Sequence, residues 1–191
     1  MITERLELIP ATTDLCEAEL RGSEAVGRAL AVRMPVSWPP PVFEPEDVER
    51  VRRQLASARG SQSWTLHYIV LRKPGGSGLR ELVGIAGYVG PPSAQGAIEV
   101  GYAIAAEHQR RGYASEAVRA LVAKAFQDPE IVVVTATTYE RLEPSVAVLR
   151  KTGFVSVSRE PGTGLLRFEC RRAPGNDPGT PPRGKHGLAA S

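Results

Sequence analysis

The sequence has few cysteines and no long apolar run. Its two cysteines among 191 residues, Cys16 and Cys170, are too few for a disulfide scaffold and are not in a metal-ligand spacing. We therefore expect reduced thiols and no metal. No stretch approaches the ~20 apolar residues that a membrane span needs. The first ten residues also lack the apolar run of a signal peptide. These features predict a cytoplasmic protein with no membrane partner.

The chain also lacks a charge bias outside its last 21 residues. Its formal net charge is +3, but four of the 24 Lys and Arg residues lie in residues 171–191 with only one of the 21 Asp and Glu residues. The remaining chain is formally neutral, whereas a nucleic-acid binder usually carries a basic stripe. We therefore expect no nucleic-acid partner.

Proline and glycine divide the chain into two parts. Residues 171–191 contain four prolines and four glycines, a composition that favours disorder. The preceding residues are numerous enough for one domain with a sizeable core. The sequence thus predicts a domain over residues 1–170 and a disordered basic tail over residues 171–191.

The strongest pattern lies in residues 96–126. An apolar stretch over residues 97–105 predicts a strand, and it contains a single carboxylate, Glu99. After a polar turn, apolar residues recur at helical spacing over residues 114–126. This unit is a strand, a turn and a helix with one buried face.

Two arginines stand in the turn of this unit. Arg110 and Arg111 precede a helix start, where the positive end of the helix dipole disfavours cations. Free N–H groups at such a terminus bind anions. The turn is therefore either an anion site or a solvated turn whose arginines point outward.

The rest of the chain predicts a sheet flanked by helices. Strand patterns cover residues 3–10, 63–71, 81–90, 131–138, 154–158 and 164–170. Helical patterns cover residues 13–20, 23–32, 45–60 and 144–152. Residues 131–138 are apolar almost throughout, which is typical of a strand buried on both faces. Two such strands joined by a crossover helix predict a parallel or splayed pair at the centre of the sheet.

A proline-rich loop over residues 34–43 contains Trp38. An aromatic residue in such a loop either anchors the loop to the core or forms a wall of a substrate site. Trp38 is therefore the candidate substrate contact, and both interpretations stay open.

With these residues in view, the chain resembles the GCN5-related N-acetyltransferase (GNAT) superfamily. Within it, the sequence is similar to the branch that includes the ribosomal-protein N-terminal acetyltransferases RimJ and RimL. The pyrophosphate motif of the family, Gln/Arg-x-x-Gly-x-Gly/Ala, matches residues 109–114. A serine followed by Leu-x-Lys-x-Gly-Phe matches Ser145 and residues 149–154, and residues 3–6 and 38–40 are also similar.

The resemblance implies an α+β GNAT fold. This fold has a mixed, mostly antiparallel central sheet of about six or seven strands, a splayed parallel pair and about four flanking helices. The implied co-substrate is acetyl-CoA, and the implied reaction is direct acetyl transfer to a primary amine, on a protein N-terminus or on a small molecule. A homodimer is left open.

Two other functions compete with this one. A non-catalytic acyl-CoA-binding module or sensor would keep the phosphate turn and lack the acid–base groups. A nucleotide-binding α/β domain is disfavoured, because the sequence has no G-x-G-x-x-G after its first strand and no Walker lysine.

The resemblance also assigns cofactor-binding residues. Backbone N–H groups of the turn would cradle the pyrophosphate, and the edge of the preceding strand would hold the pantetheine arm by strand-like hydrogen bonds. The assigned residues are Tyr102, Ala103, Ile104, Gln109, Arg110, Arg111, Gly112, Tyr113, Ala114 and Ser115.

Two residues are candidates for catalysis. Glu99 is the candidate general base, because an ammonium near pKa 10 must lose a proton before it attacks a thioester. Its alternative is an ordinary salt-bridged or solvated strand glutamate. Ser145 is the candidate proton donor to the sulfur, with Tyr139 as a second candidate. The structural alternative for Ser145 is a helix-terminal serine with local hydrogen bonds.

The chain departs from the family at two positions. Many members have a tyrosine donor where this chain has Leu149, and the branch usually has asparagine where this chain has Leu142. The second departure puts the local geometry around the cofactor arm in question.

Overall fold

The computed structural model describes residues 1–41, 43–57, 64–72 and 79–172. Within these ranges the strands are β1 (Leu6–Pro10), β2 (Val32–Arg33), β3 (Leu66–Leu71), β4 (Arg80–Tyr88), β5 (Ala97–Ile104), β6 (Val133–Tyr139), β7 (Val155–Arg159) and β8 (Leu165–Arg171). The helices are α1 (Thr13–Arg21), α2 (Ser23–Leu30), α3 (Pro45–Ala56), α4 (Tyr113–Ala125) and α5 (Glu143–Lys151), with a 3-10 turn at Ala106–His108. The sequence Lys-Pro-Gly-Gly-Ser-Gly over residues 73–78 predicts a flexible turn, which lies outside the described residues, as does the predicted tail beyond residue 172.

The strands form one mixed sheet in the order β1-β3-β4-β5-β6-β8-β7. Neighbours along this path are antiparallel except β5 and β6, which run parallel. The predicted α+β fold with a central parallel pair is confirmed. The described residues contain eight strands and five helices, against the about six or seven strands and about four helices that the resemblance implies.

The strand that the sequence patterns do not predict is β2 (Val32–Arg33), since they place Val32 at the end of a helix. Helix α2 ends at Leu30, and Ala31 adopts the left-handed conformation with φ of 50°. Val32 and Arg33 then pair in parallel with Arg80 and Glu81 at the start of β4. A strand of two residues is too short to show a period of two, so only its tertiary partner distinguishes it from the end of the helix.

Two apolar cores lie on opposite faces of the sheet. Helices α4 and α5 cover one face, where the buried residues include Val118, Leu121, Leu149, Phe154 and Phe168. Helices α1, α2 and α3 cover the other face over β1, β3 and β4, with Leu15, Val26, Val48, Tyr68 and Ile85 in that core. Among the described residues, this second core includes none from β6, β7 or β8, so these strands have no helix over that face.

Helix α5 ends as its sequence predicts. Gly153 has a φ of 91°, a conformation that glycine adopts without a steric penalty. The N–H of Phe154 then donates to the carbonyl of Leu149 at 3.0 Å, and both side chains are buried. This closure orients α5 against the sheet and so fixes the start of the helix, which carries Ser145.

Candidate functional site

The central feature of the site is a gap between β5 and β6. These strands pair over only three residues each, with Glu99 opposite Thr135 as the last pair. Beyond this pair, β5 stays with β4 up to Ile104, and β6 stays with β8 up to Tyr139. The strands therefore separate towards their C-terminal ends. The gap is bounded by residues 100–104 of β5 and 136–139 of β6.

The backbone of β5 presents hydrogen-bonding groups to this gap. The carbonyl of Glu99 accepts from Val89, and the N–H of Ala105 donates to Val83, so both point towards β4. Because successive residues of a strand point their backbone groups to opposite sides, those of Val100, Tyr102 and Ile104 point towards the gap. One of them is already used, since Gln109 Nε2 donates to the Ile104 carbonyl at 3.0 Å.

Glu99 lies at the mouth of the gap on the face that α4 does not cover. Its Oε1 accepts a hydrogen bond of 2.7 Å from the hydroxyl of Thr137 on β6. Glu99 is half-buried and Thr137 is exposed. The carboxylate is therefore held across the opening while it stays accessible to solvent.

On the opposite face, Tyr102 bridges the same gap. Its hydroxyl lies 3.0 Å from Ser145 Oγ, where either atom can donate, and 3.1 Å from the Ser145 carbonyl. Burial raises the pKa of Tyr102, which the hydrogen bond to Ser145 partly offsets, so the phenol is neutral at physiological pH. The Ser145 side chain thus reaches across to β5 rather than capping its own helix.

The other candidate proton donors lie elsewhere. Tyr139 points to the Glu99 face of β6 by strand alternation, and Arg141 stacks on its ring at 4.3 Å. Leu149, at the position of the usual tyrosine, is fully buried in the core. Leu142, at the position of the usual asparagine, is 40% exposed. Ser145 is therefore the hydroxyl of this group that lies on the α5 side of the gap.

The turn before α4 has an unusual backbone. Arg110 and Gly112 both have positive φ values, 61° and 83°, and no side chain caps the helix. A left-handed conformation costs a non-glycine residue roughly 1–2 kcal/mol. Alternation of left- and right-handed residues turns successive N–H groups to one side and forms an anion-binding concavity.

The N–H groups of this turn are unsatisfied within the described part of the chain. None of the six from Arg110 to Ser115 donates to a backbone or side-chain acceptor there, whereas the next one, Glu116, donates to Gly112 at 3.1 Å. Together with the positive end of the α4 dipole, these groups fit a phosphate or pyrophosphate.

The side chains of the turn divide between structural and exposed positions. Arg110 and Arg111 are both exposed, and Arg111 Nη2 donates to the Glu107 carbonyl at 3.0 Å. Ser115 is buried, and Tyr113 and Ala114 pack partly against the core under α4. Tyr113, Ala114 and Ser115 would therefore bind an anion through their backbone N–H groups.

A network behind the turn links it to the start of the chain. Glu116 Oε1 accepts from the Thr3 hydroxyl at 2.6 Å and from the Arg5 N–H at 2.8 Å, and its Oε2 accepts from Arg5 Nε at 2.7 Å. Arg5 Nη1 donates to the Arg111 carbonyl at 3.0 Å, and its guanidinium stacks on Tyr113 at 5.0 Å. Partial burial alone would raise the pKa of Glu116, but these hydrogen bonds and the Arg5 charge hold it below the ordinary value.

Trp38 lies in the core under α1 rather than in the gap. It is 9% exposed, its Nε1 donates to Glu19 Oε1 at 2.7 Å, and its ring packs on Phe43 and Tyr68. The neighbouring Ser37 accepts from the Ala106 N–H at 2.9 Å. The loop therefore connects the second core to the 3-10 turn that precedes α4, and the position of Trp38 agrees with the anchoring interpretation.

Sequence patterns did not indicate three of these relationships. Thr137 as the partner of Glu99, the Tyr102 side chain as the partner of Ser145, and Arg5 as the partner of Glu116 all depend on how distant segments meet. The similarity of residues 3–6 to the RimJ and RimL branch was the one available signal for Arg5.

The described residues were also compared with the requirements of a metal site and of a membrane span. Among the described residues, no group of three or more His, Cys, Asp or Glu side chains is arranged to hold a metal ion. The helices of the described ranges also include none that is long and apolar enough to cross a membrane.

The sequence is similar to those of known acetyltransferases. Residues 5–155 match the acetyltransferase (GNAT) domain family. The uncharacterized N-acetyltransferase YjdG of Bacillus subtilis (strain 168) is 28% identical over 153 residues, which cover 80% of this chain and 88% of that protein.

Solved structures share the fold at low identity. The RimL ribosomal L7/L12 alpha-N-protein acetyltransferase in complex with coenzyme A has a TM-score of 0.61 at 16% identity, covering 90% of this chain and 96% of that one. An acetyltransferase from Agrobacterium tumefaciens str. C58 has a TM-score of 0.59 at 22% identity, covering 90% and 94%.

Proposed function

Since the chain belongs to the GNAT acetyltransferase family, we propose that its gap and phosphate turn hold acetyl-CoA while Glu99 and Ser145 serve the transfer. At the level of the family, the chain is an N-acetyltransferase whose co-substrate is acetyl-CoA. The observation that carries the proposed residue roles is the gap itself, with Glu99 on one of its faces and the Tyr102–Ser145 pair on the other.

The cofactor would be held at two places. The N–H groups of residues 110–115 would bind the pyrophosphate, with Arg110 and Arg111 adding positive charge. The backbone of Tyr102 and Ile104 would bind the pantetheine arm as an additional strand does. Ala103 points its backbone groups towards β4, so it would contribute to the cofactor site only through its side chain, which lies on the Glu99 face.

Glu99 would act on the acceptor. Its carboxylate takes a proton from the acceptor ammonium, directly or through a water, so that the neutral amine can attack. Thr137 holds this carboxylate at the mouth of the gap. A positioned base of this kind contributes roughly 10²–10⁴ in rate.

Ser145 would act on the leaving sulfur. Acetyl-CoA supplies the acetyl group as a thioester, and an alkyl thiol is a fairly strong acid (pKa about 8.5 in cysteine), so the sulfur needs little more than a hydrogen bond as it leaves. Ser145 would give that hydrogen bond from the face opposite Glu99. Tyr102, neutral and hydrogen-bonded to Ser145, would keep its hydroxyl oriented.

The acceptor that we propose is a primary amine at a protein N-terminus, as in the RimJ and RimL branch. Support comes from the open face of β6, β8 and β7 beside Glu99, which no helix covers among the described residues. Thr137 and Tyr139 are exposed there, and every described residue of β7 is exposed. Such an open shelf can accommodate an extended polypeptide, whereas a small amine requires only the mouth of the gap.

We further propose a cytoplasmic protein in which β7 is the surface for a homodimer. Both cysteines are free, which agrees with a reducing compartment. The edge strand β7 exposes Val155 and Val157 by 67% and 49%, and unprotected edge strands favour pairing. Equilibrium sedimentation of the wild type and of a Val157→Lys variant tests this surface.

The experiment that tests the function is a CoA-release screen. Peptides with free α-amino groups, the same peptides with blocked termini, amino acids, polyamines and aminoglycosides are offered with acetyl-CoA. Release with free-terminus peptides only would support the proposed acceptor, and release with small amines alone would favour the other class. Tight CoA binding without release for any amine would instead indicate the non-catalytic module.

A further inference from the structure

We propose that Arg5 and Glu116 are positioning residues that hold the phosphate turn from behind. This inference rests on the proposed function, because it concerns the turn that would bind the pyrophosphate. Neither residue belongs to the six-residue motif, and they are 111 positions apart in the chain. The motif would then bind the pyrophosphate fully only when the start of the chain is docked on α4.

The first part of the inference concerns the peptide group between Arg111 and Gly112. Arg5 Nη1 donates to the Arg111 carbonyl at 3.0 Å. In a trans peptide the carbonyl and the next N–H point in opposite directions. A carbonyl that is fixed towards Arg5 therefore points the Gly112 N–H away from Arg5 and out of the turn. Arg5 thus sets the direction of a donor in the middle of the anion site.

The position of Gly112 fits this arrangement. A Cβ at residue 112 would lie 3.4 Å from Arg5 Nη2, and Gly112 has a φ of 83°. The guanidinium therefore lies directly against the glycine, and its stacking on Tyr113 keeps it there. The arginine fork is well suited to this task because its planar N–H groups engage two acceptors at once.

The second part concerns charge. Glu116 lies one helical turn beyond Gly112, so its carboxylate is close to the proposed phosphate position. Without a counter-charge, it would repel a phosphate. Three donors from Thr3 and Arg5 engage the carboxylate, whose side chain is only 15% exposed, and Arg5 neutralises it. The Arg5–Glu116 ion pair thereby supports the turn without adding a net negative charge.

The test measures CoA binding by titration calorimetry. Arg5→Ala should weaken CoA binding by about tenfold or more, because it frees the Arg111 carbonyl and removes the counter-charge of Glu116. The double variant Arg5→Ala/Glu116→Gln should recover part of the loss, since it removes the repulsion but not the free carbonyl. Arg5→Lys keeps the charge without the fork and should weaken binding several-fold, and it serves as a second variant if Arg5→Ala does not fold.

Arg72→Ala is the matched control. Arg72 donates to the carbonyls of Thr3 at 2.7 Å and Glu4 at 3.2 Å, so it holds the same segment without touching the turn. Its CoA affinity should stay within about twofold of the wild type. An equal loss in Arg72→Ala and Arg5→Ala would overturn the inference, because general loosening of the segment would then explain both. Unchanged CoA affinity in Arg5→Ala would also overturn it.

A truncated co-substrate separates positioning from a purely structural role. With acetyl-pantetheine, which lacks the pyrophosphate, Arg5→Ala should have nearly wild-type kcat/KM, while with acetyl-CoA its KM should rise and kcat should be retained. Equal losses with both co-substrates would contradict the inference. If the wild-type protein does not bind CoA, or if charge reversal at Arg110 and Arg111 leaves CoA affinity unchanged, the proposed function fails instead.

Discussion

The hydroxyl of Thr137 donates a 2.7 Å hydrogen bond to Glu99 Oε1 across the gap between β5 and β6. The two residues lie where the strands separate, since Glu99 belongs to the last paired position and Thr137 lies two residues beyond its partner Thr135. Without this hydrogen bond, the side chain of Glu99 would populate several rotamers. The hydrogen bond keeps it at the mouth of the gap, where an acceptor amine would arrive.

Glu99→Gln should lower kcat by about 10²–10⁴ and leave CoA affinity unchanged, because it removes the base and keeps the hydrogen-bonding shape. Steady-state kinetics with a working acceptor and calorimetry with CoA measure the two quantities. Glu169→Gln is the control, since Glu169 lies in the same cross-strand row, opposite Thr135 on β8, and pairs with Arg171 at 2.6 Å. Full activity of Glu99→Gln at neutral pH would exclude Glu99 as the base.

Ser145→Ala and Tyr102→Phe should each lower kcat with acetyl-CoA by about tenfold, the equivalent of one hydrogen bond. The double variant should be no worse than Ser145→Ala, because Tyr102 would act through Ser145. Thioesters with more acidic thiols should show a smaller loss, since their sulfur needs less help in leaving. Tyr88→Phe, which removes a buried hydroxyl bonded to Leu121, is the control. Additive losses in the double variant would count against the pairing.

Arg110→Glu/Arg111→Glu should weaken CoA binding by about tenfold or more at low salt and less at high salt, because charge near a phosphate is screened. Calorimetry at two ionic strengths measures both effects. Arg53→Glu reverses an exposed arginine on α3, on the other side of the sheet, and should bind CoA normally. A salt-independent affinity equal to that of the wild type would place the phosphate elsewhere.

Trp38→Phe should destabilise the fold by about 1–3 kcal/mol, because Glu19 loses the indole donor while it stays partly buried. Urea unfolding measures this change, and kcat should be nearly unaffected. Trp64→Phe, at a ring that packs edge-on against Tyr88 at 5.0 Å, provides the comparison. Normal stability with a large loss of activity would restore Trp38 as a substrate contact.

Stability should fall as the pH drops from about 6.5 to about 4, in part because of His67. Burial and, next, the nearby N-terminal ammonium lower the pKa of His67 from 6.5 to about 4. In this window the unfolded state binds a proton that the folded state does not, so acid favours unfolding, by about 3 kcal/mol at the lower end.

Urea unfolding of the wild type and of His67→Leu at pH 7.5, 5.5 and 4.5 isolates this contribution. Burial raises the pKa of Glu19. The protonated carboxyl stabilises the folded state at low pH, and this stabilisation is lost as the pH rises above 4.5, so Glu19 opposes the effect of His67. Both proteins contain Glu19, so their difference reports on His67. A stability difference that does not change with pH would show that His67 has the same pKa in the folded and unfolded states, and would contradict this prediction.

Much of the fold could be predicted because each helix and long strand has its own local pattern. Examples are the apolar residues at helical spacing in α4 and the closure of α5 at Gly153 and Phe154. Strand β2 could not be predicted, because two residues are too few to show the apolar alternation of a strand and the residues with which they pair are 48 positions away. The roles of Glu99 and Ser145 were predicted from the resemblance, and they remain predictions until they are tested.

By itself, the sequence determined the strand, turn and helix that carry the phosphate motif, since backbone periodicity and turn chemistry depend on neighbouring residues. Only the tertiary structure decided which side chains meet. Thr137 faces Glu99, Tyr102 faces Ser145 and Arg5 faces Glu116 at separations of 38, 43 and 111 residues. Such meetings depend on strand register and on where two strands separate. Both are set by the packing of the whole sheet, so a local pattern does not contain them.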